Sequence, residues 1–438
     1  MNIAMLRIAI ICFVTLTALA CGSGSGGGSG GGAGGGGGGI GIDFPSGGAI
    51  IGGDTPVVGL PPNGFPDGGF TGDPSSVIAL DVAGRTSTGG LRGTSDFTVG
   101  VTEGISEIRA TITKANAVQF VAQSGGAVLA GALLDTAGDP LVELMAPTFG
   151  PQQTAAVFAD RSINSLPYPT SFLDSAIVSG SEYRYQILST AAGQNGISGT
   201  VVAKNDPFLA GGTLRVRVYI VGTLAQSSEN RTAISQAIEI WREIYDAAGI
   251  NLDVTLEDLV SGTGILPSPN VGSAIYAANA ATARPYTLNL YVGAGISQTS
   301  GTSPGDTFPN EVLGIAASIP GPSIPTIKSA VALSLVGHYG PDGIFSSSEV
   351  EIFGSTMAHE AGHYLGLFHT VEFAGESDDS YIPGDLFPDT VPCFTTQECI
   401  NTGASANLMF PAVIAGQPTQ RDLSLNQRGA LNLQVLVD

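Results

Sequence analysis

The sequence predicts an α+β unit over residues 207–438, preceded by an all-β, sandwich-like unit over residues 43–206. Three observations carry this expectation. Between Asp43 and Lys204 short apolar alternations are punctuated by Gly, Asp-Pro and Ser-Gly, with no long stretch of helical period. Past Asn205-Asp206-Pro207 and Gly211-Gly212, strand-type alternation is interleaved with helical periodicity. Three of the four histidines of the chain fall within residues 359–369. At 438 residues and 43% hydrophobic content, more than one core can form. The 63 glycines follow no three-residue period, which excludes a collagen helix. A net charge of −21 repels nucleic acid and anionic lipid and favours divalent cations.

Residues 1–20 read MNIAMLRIAIICFVTLTALA, with Arg7 the sole charged side chain. The apolar run over 8–19 falls short of the about 20 residues that span a bilayer and fits the core of an export signal. Ala18-Leu19-Ala20-Cys21 resembles the lipobox of bacterial lipoproteins, in which the signal is cut before the Cys and the thiol is acylated. Ordinary cleavage leaving a free Cys21 is the alternative. Residues 22–39 contain only Gly, Ser and one Ala, so 21–42 reads as a flexible tether reaching about 23 Å. The expected location is the cell envelope, at the outer membrane or cell surface, with membrane contact through the lipid anchor alone.

Within 43–206, Ile108, Ala110 and Ile112 alternate, as do Val77 and Ala79. The region has no His and no constellation of catalytic residue types, and reads as a structural or binding module. Beyond it, Leu214, Val216, Val218 and Ile220 alternate with Arg215 and Arg217, a half-buried strand. Ile234, Ala237, Ile238, Trp241, Ile244, Tyr245 and Ala248 recur at helical spacing, from about Ser228 to a stop at Gly249. Leu252, Val254 and Leu256 predict a second strand, and Tyr286, Leu288, Leu290 and Val292 a third. Two more are expected near 312–319 and 330–336. Ser348 and Glu351 then read as a capping box for a second helix.

That helix carries HEAGHYLGLFH at 359–369. His359 and His363 are one turn apart and share a helix face. Two imidazoles so placed can hold one Zn²⁺. Glu360 is positioned to act as general base. Gly366 can adopt φ > 0 and turn the chain sharply, returning His369 as third ligand. Three protein ligands leave a fourth position open, as in catalytic zinc sites. The fourth histidine, His338, sits in a Gly-flanked loop and reads as solvated or locally bonded. Cys12 leaves with the signal and Cys21 is the lipid site, so Cys393 and Cys399 remain to form a short disulfide loop.

HEAGHYLGLFH resembles the zinc motif of the metzincin endopeptidases. Its flanks, GSTMA before it, GDLFPDT after it and Asn407-Leu408-Met409 beyond, are similar to the pappalysin subgroup. The resemblance covers roughly residues 213–438. It implies a twisted, mostly parallel five-stranded sheet carrying the zinc helix, with an irregular lower subdomain after His369. It also implies Met409 as the Met-turn residue beneath the metal. Phe410-Pro411 stands where relatives often carry Asp-Tyr, so a tyrosine that assists at the zinc is missing there. The acidic segment with Glu372, Glu376, Asp378, Asp379, Asp385 and Asp389 is either a Ca²⁺ site or a solvated loop. Asp385 and Asp389 match the subgroup best. Phe70-Thr71-Gly72-Asp73 resembles the Asp-switch of astacin pro-segments. No Cys lies between Cys21 and Cys393, so a cysteine switch is not expected. The expected function is zinc-dependent endopeptidase action on a protein or peptide. The rivals are a surface binding or adhesion lipoprotein with a silent protease fold, and a zinc hydrolase of non-peptide amides.

Overall fold

The computed structural model describes residues 42–43 and 74–438, except 75, 85–91, 100–103, 125–127, 143–162, 190–195, 207–208, 260–262, 270–271, 298–311, 340–342, 374–380, 386 and 415. The signal segment, Cys21, the Gly/Ser tether, residues 70–73, and Glu376, Asp378 and Asp379 lie outside the described residues.

Among the described residues, nine strands build the first unit: β1 (Ser76–Ala83), β2 (Arg92–Val99), β3 (Gly104–Thr113), β4 (Ala117–Ser124), β5 (Val128–Leu134), β6 (Pro140–Val142), β7 (Ile163–Tyr168), β8 (Ser181–Ser189) and β9 (Ile197–Lys204). One sheet has the order β2-β9-β4-β7 and is antiparallel throughout. The other has the order β1-β3-β8-β5-β6, with only β1 and β3 parallel. Period-2 alternation gives each sheet an apolar inner face, and the two faces share one core. Phe120 of β4 meets Tyr185 of β8 across it, ring centroids 4.9 Å apart. Ile108, Ala110 and Ile112 point inward, as the alternation requires. The expectation for Val77 and Ala79 was one residue out of register. Ile78, Leu80 and Val82 face the core and Val77 is exposed, because both sets of positions in β1 are apolar enough to mislead.

The second unit runs β10 (Gly212–Val221), α1 (Ser228–Asp246), β11 (Ile250–Leu259), α2 (Ala274–Thr282), β12 (Leu288–Gly293), β13 (Gly314–Ala316), β14 (Val331–Ser334) and α3 (Ser347–Tyr364). The five-stranded sheet has the order β11-β10-β12-β14-β13. All pairs are parallel except the short edge strand β13, which runs antiparallel to β14. The helix α2 was not anticipated: it is Ala-rich and buries only Tyr276 and Ala280, too few for a periodic stripe. The apolar stripe of α1 packs against α3, where Tyr245 Oη donates to Ala358 O at 3.0 Å. Gly354 permits that approach; a Cβ there would meet Ala237 O at 2.7 Å and Ile240 Cβ at 2.6 Å. The capping box of α3 lies two residues earlier than expected. Ser346 accepts from Glu349 N at 3.3 Å, and the Glu349 carboxylate accepts from Ser346 N at 2.6 Å.

Past α3 the chain is mostly irregular, with α4 (Thr396–Thr402) and α5 (Leu425–Leu433). Cys393 and Cys399 are disulfide-bonded and buried in a small cluster with Val371, Tyr381 and Phe410. Ile42–Asp43 pairs antiparallel with Ala412–Val413. The two units meet through buried polar groups. Lys204 Nζ donates to Asn432 O at 2.7 Å, at the C-terminal end of α5. Arg92 pairs with Asp438, donates to Val435 O, and lies over the Tyr286 ring at 4.4 Å.

Candidate metal centre

Helix α3 ends in a Schellman turn. Gly366, with φ +95°, donates to His363 O at 2.9 Å, and Leu367 N reaches back to Gly362 O at 2.9 Å. The reversal brings His369 against the face that carries His359 and His363. His369 Nε2 lies 3.2 Å from His359 Nε2 and 3.1 Å from His363 Nε2. Among the described residues this triad is the one cluster of His, Cys, Asp or Glu able to hold a metal ion.

The outer nitrogens explain why the inner ones converge. His359 Nδ1 donates to Leu408 O at 2.7 Å and His363 Nδ1 to Leu367 O at 2.7 Å. His369 Nδ1 is 3.1 Å from Glu372 Oε1. Each imidazole therefore holds its proton on Nδ1 and presents the Nε2 lone pair inward. Burial pushes the His359 imidazole down to about 3 and His363 well below its ordinary value, which keeps both neutral and able to ligate. Three mutually repelling lone pairs in a buried site call for a cation. A four-coordinate ion with Zn–N of 2.0–2.1 Å separates its ligand atoms by about 3.3 Å, close to the spacing here.

Glu360 is buried beside the triad, and its side chain runs along β13. A Cβ on Gly314 would sit 2.6 Å from Glu360 Cγ, so only glycine leaves room for this carboxylate. Burial pushes the Glu360 carboxyl up to about 8, opposed by a backbone hydrogen bond from Ala316. Met409 is fully buried beneath α3, where a Cβ on Gly362 would lie 2.9 Å from its sulfur. Asn407 fixes this turn by accepting from Met409 N at 2.8 Å, and Thr370 N donates to Met409 O at 3.0 Å.

Among the described residues, Asp385 and Asp389 belong to no cluster of three potential metal ligands. Asp389 caps α5, accepting from Ser424 Oγ and Asn426 N at 2.9 Å each. Asp385 is buried, accepts from Thr390 Oγ1 and Phe387 N, and burial pushes its carboxyl up to about 7. Internal donors occupy the oxygens that the calcium expectation required. Of the two readings of His338, the locally bonded one holds. It is buried, with Nδ1 donating to Ser334 O at 2.6 Å and Nε2 3.1 Å from Thr356 Oγ1 on α3. Sequence reasoning counted Glu372 only among the acidic loop residues and missed its place beside His369. Its position three residues after a ligand was the available signal.

No family model matches this chain, and no curated protein matches it. Among solved structures it is similar to metalloproteinase-II from Bacteroides fragilis, with TM-score 0.29 and 13% identity over 52% of this chain and 60% of that one. It is similar to archaemetzincin from Methanopyrus kandleri, with TM-score 0.22 and 15% identity over 36% of this chain and 76% of that one. It is also similar to the pre-peptidase C-terminal domain of a collagenase from Bacillus anthracis, with TM-score 0.17 and 9% identity over 28% and 93% of the respective chains. The functional reading below rests on the site itself.

Proposed function

We propose that this chain is a zinc-dependent endopeptidase of the metzincin type, closest in its motifs to the pappalysin subgroup. The observation that carries this is the convergence of three buried Nε2 atoms beside a buried glutamate on one helix. His359, His363 and His369 would hold the ion, with Glu372 and two backbone carbonyls setting their tautomers. Bound zinc supplies Lewis acidity, polarising a scissile carbonyl and acidifying a water. Glu360 takes the proton of the attacking water on its carboxylate and passes it to the leaving amine. Glu360, held protonated by its burial, would ionise more readily beside a cation held by the triad. The edge strand β13 runs beside Glu360 and, among the described residues, pairs only with β14, so an extended peptide can add to its outer edge. Met409 supports the helix from below. By its sequence, the mature chain is an exported lipoprotein anchored at Cys21.

The test is cleavage of a peptide library by wild type and Glu360→Gln, with zinc content measured on each. The substitution keeps shape and removes basicity, so activity should fall by about 10²–10⁴-fold at unchanged zinc. Equal rates at equal occupancy exclude Glu360 as the base. No cleavage by either, with and without chelator, replaces the enzyme with the silent binding protein.

A further inference from the structure

The last carbonyl of α3 belongs to Tyr364, next to the ligand His363, and the helix itself supplies no donor for it. Its partner comes from the segment that follows β13: Gly321 N donates to Tyr364 O at 2.8 Å. Tyr364 Oη returns a bond to Pro322 O at 2.8 Å. The contact is close enough that a Cβ on Gly321 would meet the Tyr364 ring at 2.1 Å. The segment is in turn gripped from the other unit. Gln119, on β4 of the sandwich and 1% exposed, donates through Nε2 to Gly321 O at 2.9 Å and accepts from Ser323 N at 3.2 Å. Ser165 on β7 accepts from the same Gln119 Nε2 at 2.8 Å and lies 3.3 Å from Gly321 O. A continuous chain of buried hydrogen bonds thus runs from the sandwich, through residues 321–323, to the end of the helix that bears two of the three histidines.

We propose that Gln119 is a positioning residue for the metal site: through Gly321 and Tyr364 it fixes the C-terminal end of α3, which makes the β-sandwich a working part of the centre. This rests on the metal-dependent reading above. It gives the sandwich a role that its own lack of catalytic residue types leaves open. It also fits the amide chemistry. One Gln side chain offers a donor and an acceptor side by side, matching the Gly321 carbonyl and the Ser323 amide. A purely apolar contact would hold the segment without fixing its register. The carbonyls that close the Schellman turn belong to Gly362 and His363, immediately before Tyr364, so slack at Tyr364 passes directly into the ligand geometry.

The experiment uses the full chain with Gln119→Met, which keeps the bulk and removes both hydrogen bonds to residues 321–323 together with the one to Ser165. Ser165→Ala is a milder second variant. Val201→Ala, a cavity on the apolar core face of the sandwich, is the control for stability alone. Amide hydrogen exchange is followed at 321, 323 and 365–367, and zinc release is timed against excess chelator well below the unfolding temperature. Gln119→Met should speed exchange at those amides and zinc release by at least about fivefold, the effect of losing any one of its hydrogen bonds. Ser165→Ala should move both in the same direction by less, and Val201→Ala should lower the unfolding midpoint while leaving both unchanged. Wild-type exchange and release in Gln119→Met, or equal effects from Val201→Ala, overturn the proposal. If wild type holds no zinc, the peptidase reading fails, and amide exchange alone decides whether the clamp exists. If Gln119→Met does not fold, Ser165→Ala decides in the same way.

Discussion

At the scale of the residue, each ligand depends on the group behind it. Glu372 is the one side-chain carboxylate among the three outward partners, and the other two are main-chain carbonyls that no substitution removes. Glu372→Ala should therefore weaken zinc binding by about 10–100-fold while leaving the fold intact, measured by competition with a chromophoric chelator. His338 offers a separate test, away from the ligands. Its neighbours are Ser334 O, Thr356 Oγ1 and the Phe353 ring, none of them charged, and burial holds its imidazole down to about 4. In the unfolded chain it protonates near pH 6.5. Between those values the unfolded state binds the proton and the folded state does not. The contribution is full above about pH 6.5 and is lost as pH falls toward about 4. Wild type should lose about 2 kcal/mol more than His338→Gln between pH 7 and pH 5, read by urea unfolding. Equal losses would mean that His338 accepts a proton in the folded state.

At the scale of the element, two glycines shape α3. Gly366 takes a conformation that a Cβ disfavours, and an added Cβ would also crowd Gln434 Nε2 at 3.0 Å. Gly366→Ala should cost about 1–2 kcal/mol in urea unfolding and loosen His369 more than the other ligands. Gly354→Ala drives a methyl into the α1 backbone and should cost about 1–3 kcal/mol. The first effect was legible in the sequence, because the turn follows from a glycine between two ligands. The second was not, because only the packed pair shows which residue faces which. The same division holds elsewhere. His359, His363 and His369 are close in sequence, so local geometry brings them together. Leu408, Gln119 and Gly314 reach the site from distant segments, and no periodicity marks them. The acidic residues misled for the opposite reason: charge reads as ligand or solvated loop until the fold reveals Asp389 as a helix cap and Asp385 as an internal acceptor. The capping box was displaced because Ser346, Ser347 and Ser348 offer equivalent hydroxyls.

At the scale of the whole molecule, the two units are joined by charge that water does not reach. Lys204 is fully buried, and its nearby carboxylate is Asp206, 3.6 Å away. Lys204→Met should destabilise the chain by about 3 kcal/mol, since it breaks the buried ion pair and removes the donor to the carbonyls ending α5. Trp241, the single tryptophan, lies in the core of the second unit, whereas far-ultraviolet dichroism also reports the sandwich. Coincident urea transitions by the two probes are expected in wild type; separate transitions would show that the junction does not couple the units. The bond from His359 to Leu408 O spans 49 residues, whereas His363 and His369 find their partners within four. During synthesis, a ribosome that has just delivered Glu372 has supplied the helix, the turn and the partners of two imidazoles, His363 and His369. The third waits for some forty further residues to emerge and fold back. The chain's order of manufacture therefore withholds the complete cage until Leu408 has been made and has folded back, a timer written into one carbonyl's place along the polypeptide.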